Sequence, residues 1–211
     1  LEHRTPTTGS NLPVNAGDLQ TQNHQVVDIT QETLTLTGRY QVEMLGGRTS
    51  FKLGYASFTE SDTDTEEDTD YTRNPDRFTG DRTLTDLDDT ELSAKLEHKR
   101  DLGGAELEFG LHVQEKARDT VIVTNRNRFN LPAAIPAYGP FADVPGGVND
   151  IEETRIDPYV MVSGKAGALG WEAGLRYETT EVDIEDATAA AALRKTSLDY
   201  AVLLPSAHLR W

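Results

Sequence analysis

Three short glycine-bearing turns, at Leu45-Gly46-Gly47-Arg48, Asp101-Leu102-Gly103-Gly104 and Ala166-Gly167-Ala168-Leu169, each join two long stretches in which apolar and polar residues alternate. The connections between these hairpins are long and polar. Tight turns on one rim and extended loops on the other are the signature of a transmembrane β-barrel. The pattern points to a transport surface, not to an active site.

Pairing geometry tests this, because a hairpin buries one face only if the apolar positions of both strands fall on the same side. Around Gly46 and Gly47, a pair suited to positive φ at both central positions of a primed turn, Val42 is expected opposite Phe51, Tyr40 opposite Leu53 and Gly38 opposite Tyr55. With a second turn centred on Asp101 and Leu102, Leu92, Ala94 and Leu96 oppose Leu111, Phe109 and Leu107; a centre one residue later keeps the same faces. In the third hairpin Val160 and Val162 oppose Leu175 and Ala173. Pro158, opposite Tyr177, has no N–H to give to a ladder and is expected to mark the start of its strand.

The complementary face is wet: Thr33, Thr35, Thr37, Arg39, Gln41 and Glu43, then Glu91, Ser93, Lys95, Glu97 and Lys99, then Glu106, Glu108, His112 and Gln114, then Glu172, Arg176 and Glu178. A soluble sandwich also alternates, so length must decide. The seven segments, around 31–44, 49–60, 90–100, 104–119, 153–166, 170–184 and 198–211, reach or exceed the roughly 9 to 11 residues that cross a bilayer and outrun the roughly 5 to 6 of soluble strands. The fold class expected is therefore all-β, an antiparallel up-and-down transmembrane β-barrel segment of about seven long strands with short periplasmic turns and long extracellular loops. Outward aromatics (Tyr40, Phe51, Tyr55, Phe109, Trp171 and Tyr177) fit interfacial girdles.

The net charge of -16, from 36 acids against 20 bases, argues against nucleic acid, whose phosphates require a basic face. With no cysteine there is no thiolate nucleophile and no Cys-ligated zinc. No GxSxG elbow is present, and no enzyme is expected. His98 and His112 fall on opposite faces of one hairpin, so no metal site is expected; no other cofactor is implied either. The acidic run Asp62, Asp64, Glu66, Asp68, Asp70 lacks the glycine and terminal glutamate of an EF-hand loop, and reads as a solvated loop. Seven strands are an awkward count for a barrel that closes with an even number, and no signal segment precedes Leu1. The chain (1–211) is thus expected to be a partial barrel of a larger protein.

Long connections are expected over 1–24, 59–87, 120–152 and 182–197. The first holds Pro6, Gly9, Ser10 and Pro13, and the third, with Pro132, Pro136, Pro140 and Pro145, is expected to form an ordered cap over a mouth. Thr188 to Leu193 is expected to form a helical turn or two. Candidate ligand contacts are the loop residues Tyr71, Arg73, Phe129, Tyr138 and Phe141.

The segment Gly174-Leu175-Arg176-Tyr177-Glu178 and the later Leu204-Pro205-Ser206-Ala207-His208-Leu209-Arg210 resemble recurrent strand motifs of TonB-dependent outer-membrane receptors, with His208 where Asn is common. The plug domain, energy-coupling box and closing strand of that family are not recognisable. The resemblance implies a place in the Gram-negative outer membrane, contact with its lipid, and active uptake of a scarce nutrient such as a ferric siderophore, cobalamin or a glycan. It also implies coupling through the plug to an inner-membrane energy-coupling protein. Two other readings stay open: a passive outer-membrane channel, and a soluble calcium-dependent β-sheet adhesion protein.

Overall fold

A computed structural model of the protein describes residues 19–131 and 138–211. Seven strands run in sequence order: β1 (Thr21–Met44), β2 (Gly47–Asp70), β3 (Arg77–Asp101), β4 (Ala105–Asn130), β5 (Ala142–Ala166), β6 (Leu169–Asp186) and β7 (Lys195–Arg210). Each pairs antiparallel with its chain neighbours in one up-and-down sheet, and β1 and β7 form its two edges. The meander and the three short turns are as expected.

The first turn closes one residue earlier than the glycine pair suggests. Met44 pairs with Gly47, and the two central residues are Leu45 and Gly46, with φ of 55° and 71°. Tyr40 therefore faces Phe51, Val42 faces Thr49 and Gly38 faces Leu53. Gly47 is needed for another reason: a Cβ there would lie 2.1 Å from the backbone oxygen of Lys99, so glycine lets β3 approach. The second turn closes two residues later than expected, on Gly103 and Gly104. Leu102 N–H donates to the Ala105 carbonyl at 2.8 Å, Gly103 takes φ 80°, and the Asp101 carboxylate accepts its N–H at 2.6 Å. Leu96 now faces Leu111, Ala94 faces Val113 and Leu92 faces Glu115. Both corrections move partners by an even number of residues, so every side chain keeps its expected face.

The third hairpin has the expected register, Val160 on Leu175 and Val162 on Ala173. Pro158, however, does not begin its strand. It lies deep inside β5, still opposite Leu111 of β4, while the ladder to β6 has no partners for Asp157 and Pro158. The missing N–H interrupts one side of the ladder only.

The larger correction concerns length. All five strands β1 to β5 extend well past their expected bounds at the outer rim: β2 runs on through the acidic stretch to Asp70, leaving a turn over residues 71–76, β4 runs to Asn130, and β1, β3 and β5 begin at Thr21, Arg77 and Ala142. Residues expected in long loops instead form a sheet extension beyond the membrane-crossing segment. Alternating Thr and Asp carries β structure here because β-branched Thr suits the pleat and each Asp faces one side. Pro6, Gly9, Ser10 and Pro13, and Pro132 and Pro136, lie outside the described residues. Between β6 and β7 there are two hydrogen-bonded turns, Ala189 N–H to Asp186 and Leu193 N–H to Ala190, and no helix.

Burial is inverted relative to a soluble domain. Among the described residues Phe78 alone is a fully buried hydrophobic side chain, while Tyr40, Leu36, Leu96, Phe109 and Tyr177 are 66%, 56%, 46%, 46% and 46% exposed. Tyr40, Phe51, Leu96 and Leu111 are successive partners from β1 to β4, and Val160, Leu175 and Pro205 from β5 to β7. Their shared face is a continuous apolar band, far beyond the few hundred Å² that soluble monomers leave exposed. Lipid is the solvent such a band requires.

Candidate functional site

The opposite, inner face is ionic at the level of the apolar band. Asp157 is wholly buried, at 0% exposure, and organises the largest cluster. Arg155 Nε donates to both its oxygens at 3.1 and 3.0 Å, Arg176 Nη2 donates to it from β6, and His112 Nδ1 lies 3.5 Å away. Arg155 Nη2 also donates to Glu178 at 2.6 Å. On β3 and β4, Lys99 bonds Glu108 at 2.7 Å and Lys95 bonds Glu97 at 3.0 Å. The Tyr159 hydroxyl sits 3.1 Å from Glu97 and 3.0 Å from Glu108 and, with one proton, donates to one of them at a time. Its ring covers Gly110, where a Cβ would meet it at 2.6 Å. Lys95, Lys99, Arg155 and Arg176 thus balance Glu97, Glu108, Asp157 and Glu178. A cavity of about 530 Å³ opens among these residues, reaching Leu204 and Ser206 of β7.

The sequence places Lys95, Glu97, Lys99, Glu108, His112, Arg176 and Glu178 on the wet face but does not show that they converge. Arg155, Asp157 and Tyr159 were missed outright. Their alternation with Ile156, Pro158 and Val160 was the available signal.

Beyond the band the inner face changes character. The alternation of β2 turns Glu60, Asp62, Asp64, Glu66, Asp68 and Asp70 onto one side, as a column of carboxylates along a strand and not a solvated loop. Carboxamides of β1 satisfy part of it: Asn23 donates to Glu66 at 2.7 Å, Gln25 to Asp64 at 3.0 Å and Gln31 to Glu60 at 2.5 Å. Burial first, and then the charges of Asp70 and Glu66, push the Asp68 carboxyl above its ordinary range. At Asp70 burial acts in the same direction but is outweighed by hydrogen bonds from Thr72 and Arg73, so its carboxyl falls below that range.

The five residues singled out as ligand contacts separate into two groups. Tyr71 and Arg73 sit in the turn at the outer tip of β2. The Tyr71 hydroxyl donates to Gln22 at 3.0 Å and Arg73 Nε to Asp70 at 2.7 Å. Phe129, Tyr138 and Phe141 lie against the outward face, the side to which Gln22 also belongs. Phe129 stacks on Phe78 with ring centroids 5.0 Å apart, the Tyr138 hydroxyl lies 3.3 Å from Glu67 Oε1, and Phe141 lies beneath Arg82 at 5.5 Å. Asn125 Nδ2 fixes the Pro140 carbonyl at 2.8 Å. Residues 138–141 therefore brace the extension of β2 to β4 from outside, where the sequence suggested a cap over a mouth. His98 and His112 point to opposite faces: His98 is buried between Thr49, at 2.9 Å, and the Phe109 ring.

Comparison with known proteins adds an independent line. Residues 2–211 match the family model described as TonB dependent receptor-like, beta-barrel. No curated protein matches. Among solved structures the chain is similar to the ferric citrate transporter FecA in its unliganded form, at 12% identity and a TM-score of 0.45, over 90% of this chain and 33% of that one. The chain thus spans about a third of the length of that structure. With the match extending over nearly all of its length, the chain belongs to the TonB-dependent receptors, as β-barrel wall, in a family of transporters and not enzymes that resides in the Gram-negative outer membrane.

Proposed function

We propose that the seven strands are part of the wall of a larger receptor barrel that takes up a scarce nutrient, such as a ferric siderophore, cobalamin or a glycan, using energy relayed from the inner membrane. The observation that carries this is one sheet with two incompatible faces: an unbroken apolar band outside and a charge-balanced ionic network inside at the same level. That combination suits lipid on one side and a polar filled lumen on the other. The open edges at β1 and β7 leave backbone groups unpaired in lipid, and further strands are the means of closing them. In this reading a plug domain elsewhere in the receptor occupies the lumen and meets the inner-membrane energy-coupling protein. Tyr71 and Arg73 contact the ligand at the outer tip, and Phe129, Tyr138 and Phe141 hold that tip in place.

The test uses cells carrying the full-length receptor and a panel of labelled ferric siderophores, cobalamin and oligosaccharides. Surface binding of one panel member is expected to persist when the inner-membrane potential is dissipated, while its uptake stops. Uptake that continues without the potential would favour the passive-channel reading instead.

A further inference from the structure

Three arginines on the inner face of β3, β4 and their tip each have a carboxylate. Arg118 holds Asp89, Arg126 holds Asp81 at 2.5 Å, and Arg73 holds Asp70 at 2.7 Å. Two others do not. Among the described residues Arg77 and Arg128 are in no ion pair, in a chain whose acids outnumber its bases 36 to 20. Register brings them together: Arg77 pairs with Asn130 and Thr79 with Arg128, so both side chains leave the same face as diagonal neighbours, about 7 to 8 Å apart at the backbone.

The carboxylates nearby do not neutralise this pair. Asp70, opposite Arg77, is already engaged by Arg73, by the Thr72 hydroxyl at 2.5 Å and by the Thr72 N–H at 3.0 Å. The rest of the β2 column is a full strand away from Arg128. Arg128 and then Arg73 hold the Arg77 guanidinium below its ordinary range, with Asp70 opposing them only in part, as expected where gathered like charges outweigh their counter-charge. Two planar forks with all donors free match the oxygens of carboxylate or phosphate, which each can grip in bidentate fashion.

We propose that Arg77 and Arg128, at the outer tip of β3 and β4, form an anion-binding site for a carboxylate or phosphate group of the nutrient. This rests on the reading that the inner face lines the uptake path, and it narrows the nutrient to an anionic one. A lipid phosphate does not reach the site. It faces inward, and β3 runs more than ten residues from the apolar band to Arg77, on the order of 30 Å at the strand rise.

The test is titration calorimetry of the full-length receptor, in neutral detergent at low salt, with inorganic pyrophosphate as the probe. Saturable binding is expected, at least 10-fold weaker in the Arg77→Gln/Arg128→Gln double variant and unchanged in Arg118→Gln, whose partner is Asp89. Heat-modifiable migration of each variant reports that the barrel has formed. No saturable binding to the wild type, or equal affinity in a folded double variant, would overturn the site. If uptake still requires the inner-membrane potential in that case, the transport reading survives its loss. If arginine-dependent binding is found but uptake ignores the potential, the site stands and the transport reading falls.

Discussion

Placing arginine at Leu111 is expected to destabilise the intact receptor by about 2 to 4 kcal/mol, the cost of a cation at mid-membrane depth on the lipid face of a barrel. Leu111 sits in the middle of the apolar band, between Leu96 and Pro158 on the neighbouring strands, with no acidic side chain among these partners to accept the charge. Gln114, three residues along the same strand, belongs to the inner face, beside Ser93 and Arg155. Gln114→Glu is expected to change stability by less than about 1 kcal/mol, since a wet lumen with a neighbouring guanidinium solvates the new carboxylate. Urea unfolding from lipid vesicles measures both. A cost for Leu111→Arg no larger than that for Gln114→Glu would contradict the assignment of faces.

The second large effect is expected at Asp157. Two guanidinium groups and His112 converge on its carboxylate, so Asp157→Ala leaves the two guanidinium groups facing one another with Glu178 as their one remaining carboxylate partner. Removing one partner of a fully buried pair costs roughly 3 to 5 kcal/mol. Arg155 and Arg176 keep 29% and 41% of their side-chain surface exposed, so partial hydration lowers the expected loss to about 2 to 3 kcal/mol. Glu43→Gln provides the contrast, because the Arg48–Glu43 pair is 64% and 72% exposed and is expected to contribute less than about 0.5 kcal/mol. Comparable losses for the two variants, measured by the same unfolding, would show that the lumen network is as solvated as the surface.

Facing was legible in the sequence and register was not, for one physical reason. Alternation has period two, so moving the first turn from Gly46-Gly47 to Leu45-Gly46, or the second to Gly103-Gly104, leaves Tyr40, Leu53, Leu96 and Leu111 on the same side. Which residues take positive φ depends on where glycine is needed, and Gly47 is there for the approach of β3, a contact no local pattern reveals. The strand ends were missed because Asp and Thr runs carry turn propensity locally, whereas the stretch from Glu60 to Asp70 is held by its ladders to β1 and β3. The candidate contacts were legible only as loop-borne aromatics and arginines. That Phe129, Tyr138 and Phe141 face outward while Tyr71 and Arg73 cap the tip follows from strand parity and from the return of residues 138–141 along the sheet. Neither could be counted until the strands were known to extend so far.

One face of this sheet meets lipid and the other a polar lumen, and adjacent positions on β4 distinguish the two. This chain carries no cysteine, so Leu111→Cys and His112→Cys each introduce one labelling site into it. With a nitroxide attached in the membrane-embedded receptor, the label at 111 is expected to relax with oxygen, which concentrates in acyl chains. The label at 112 is expected to relax with a water-soluble nickel chelate, and the preference is expected to alternate from 107 to 114. Equal access of the aqueous reagent to both positions, with no oxygen preference at 111, would contradict the membrane barrel.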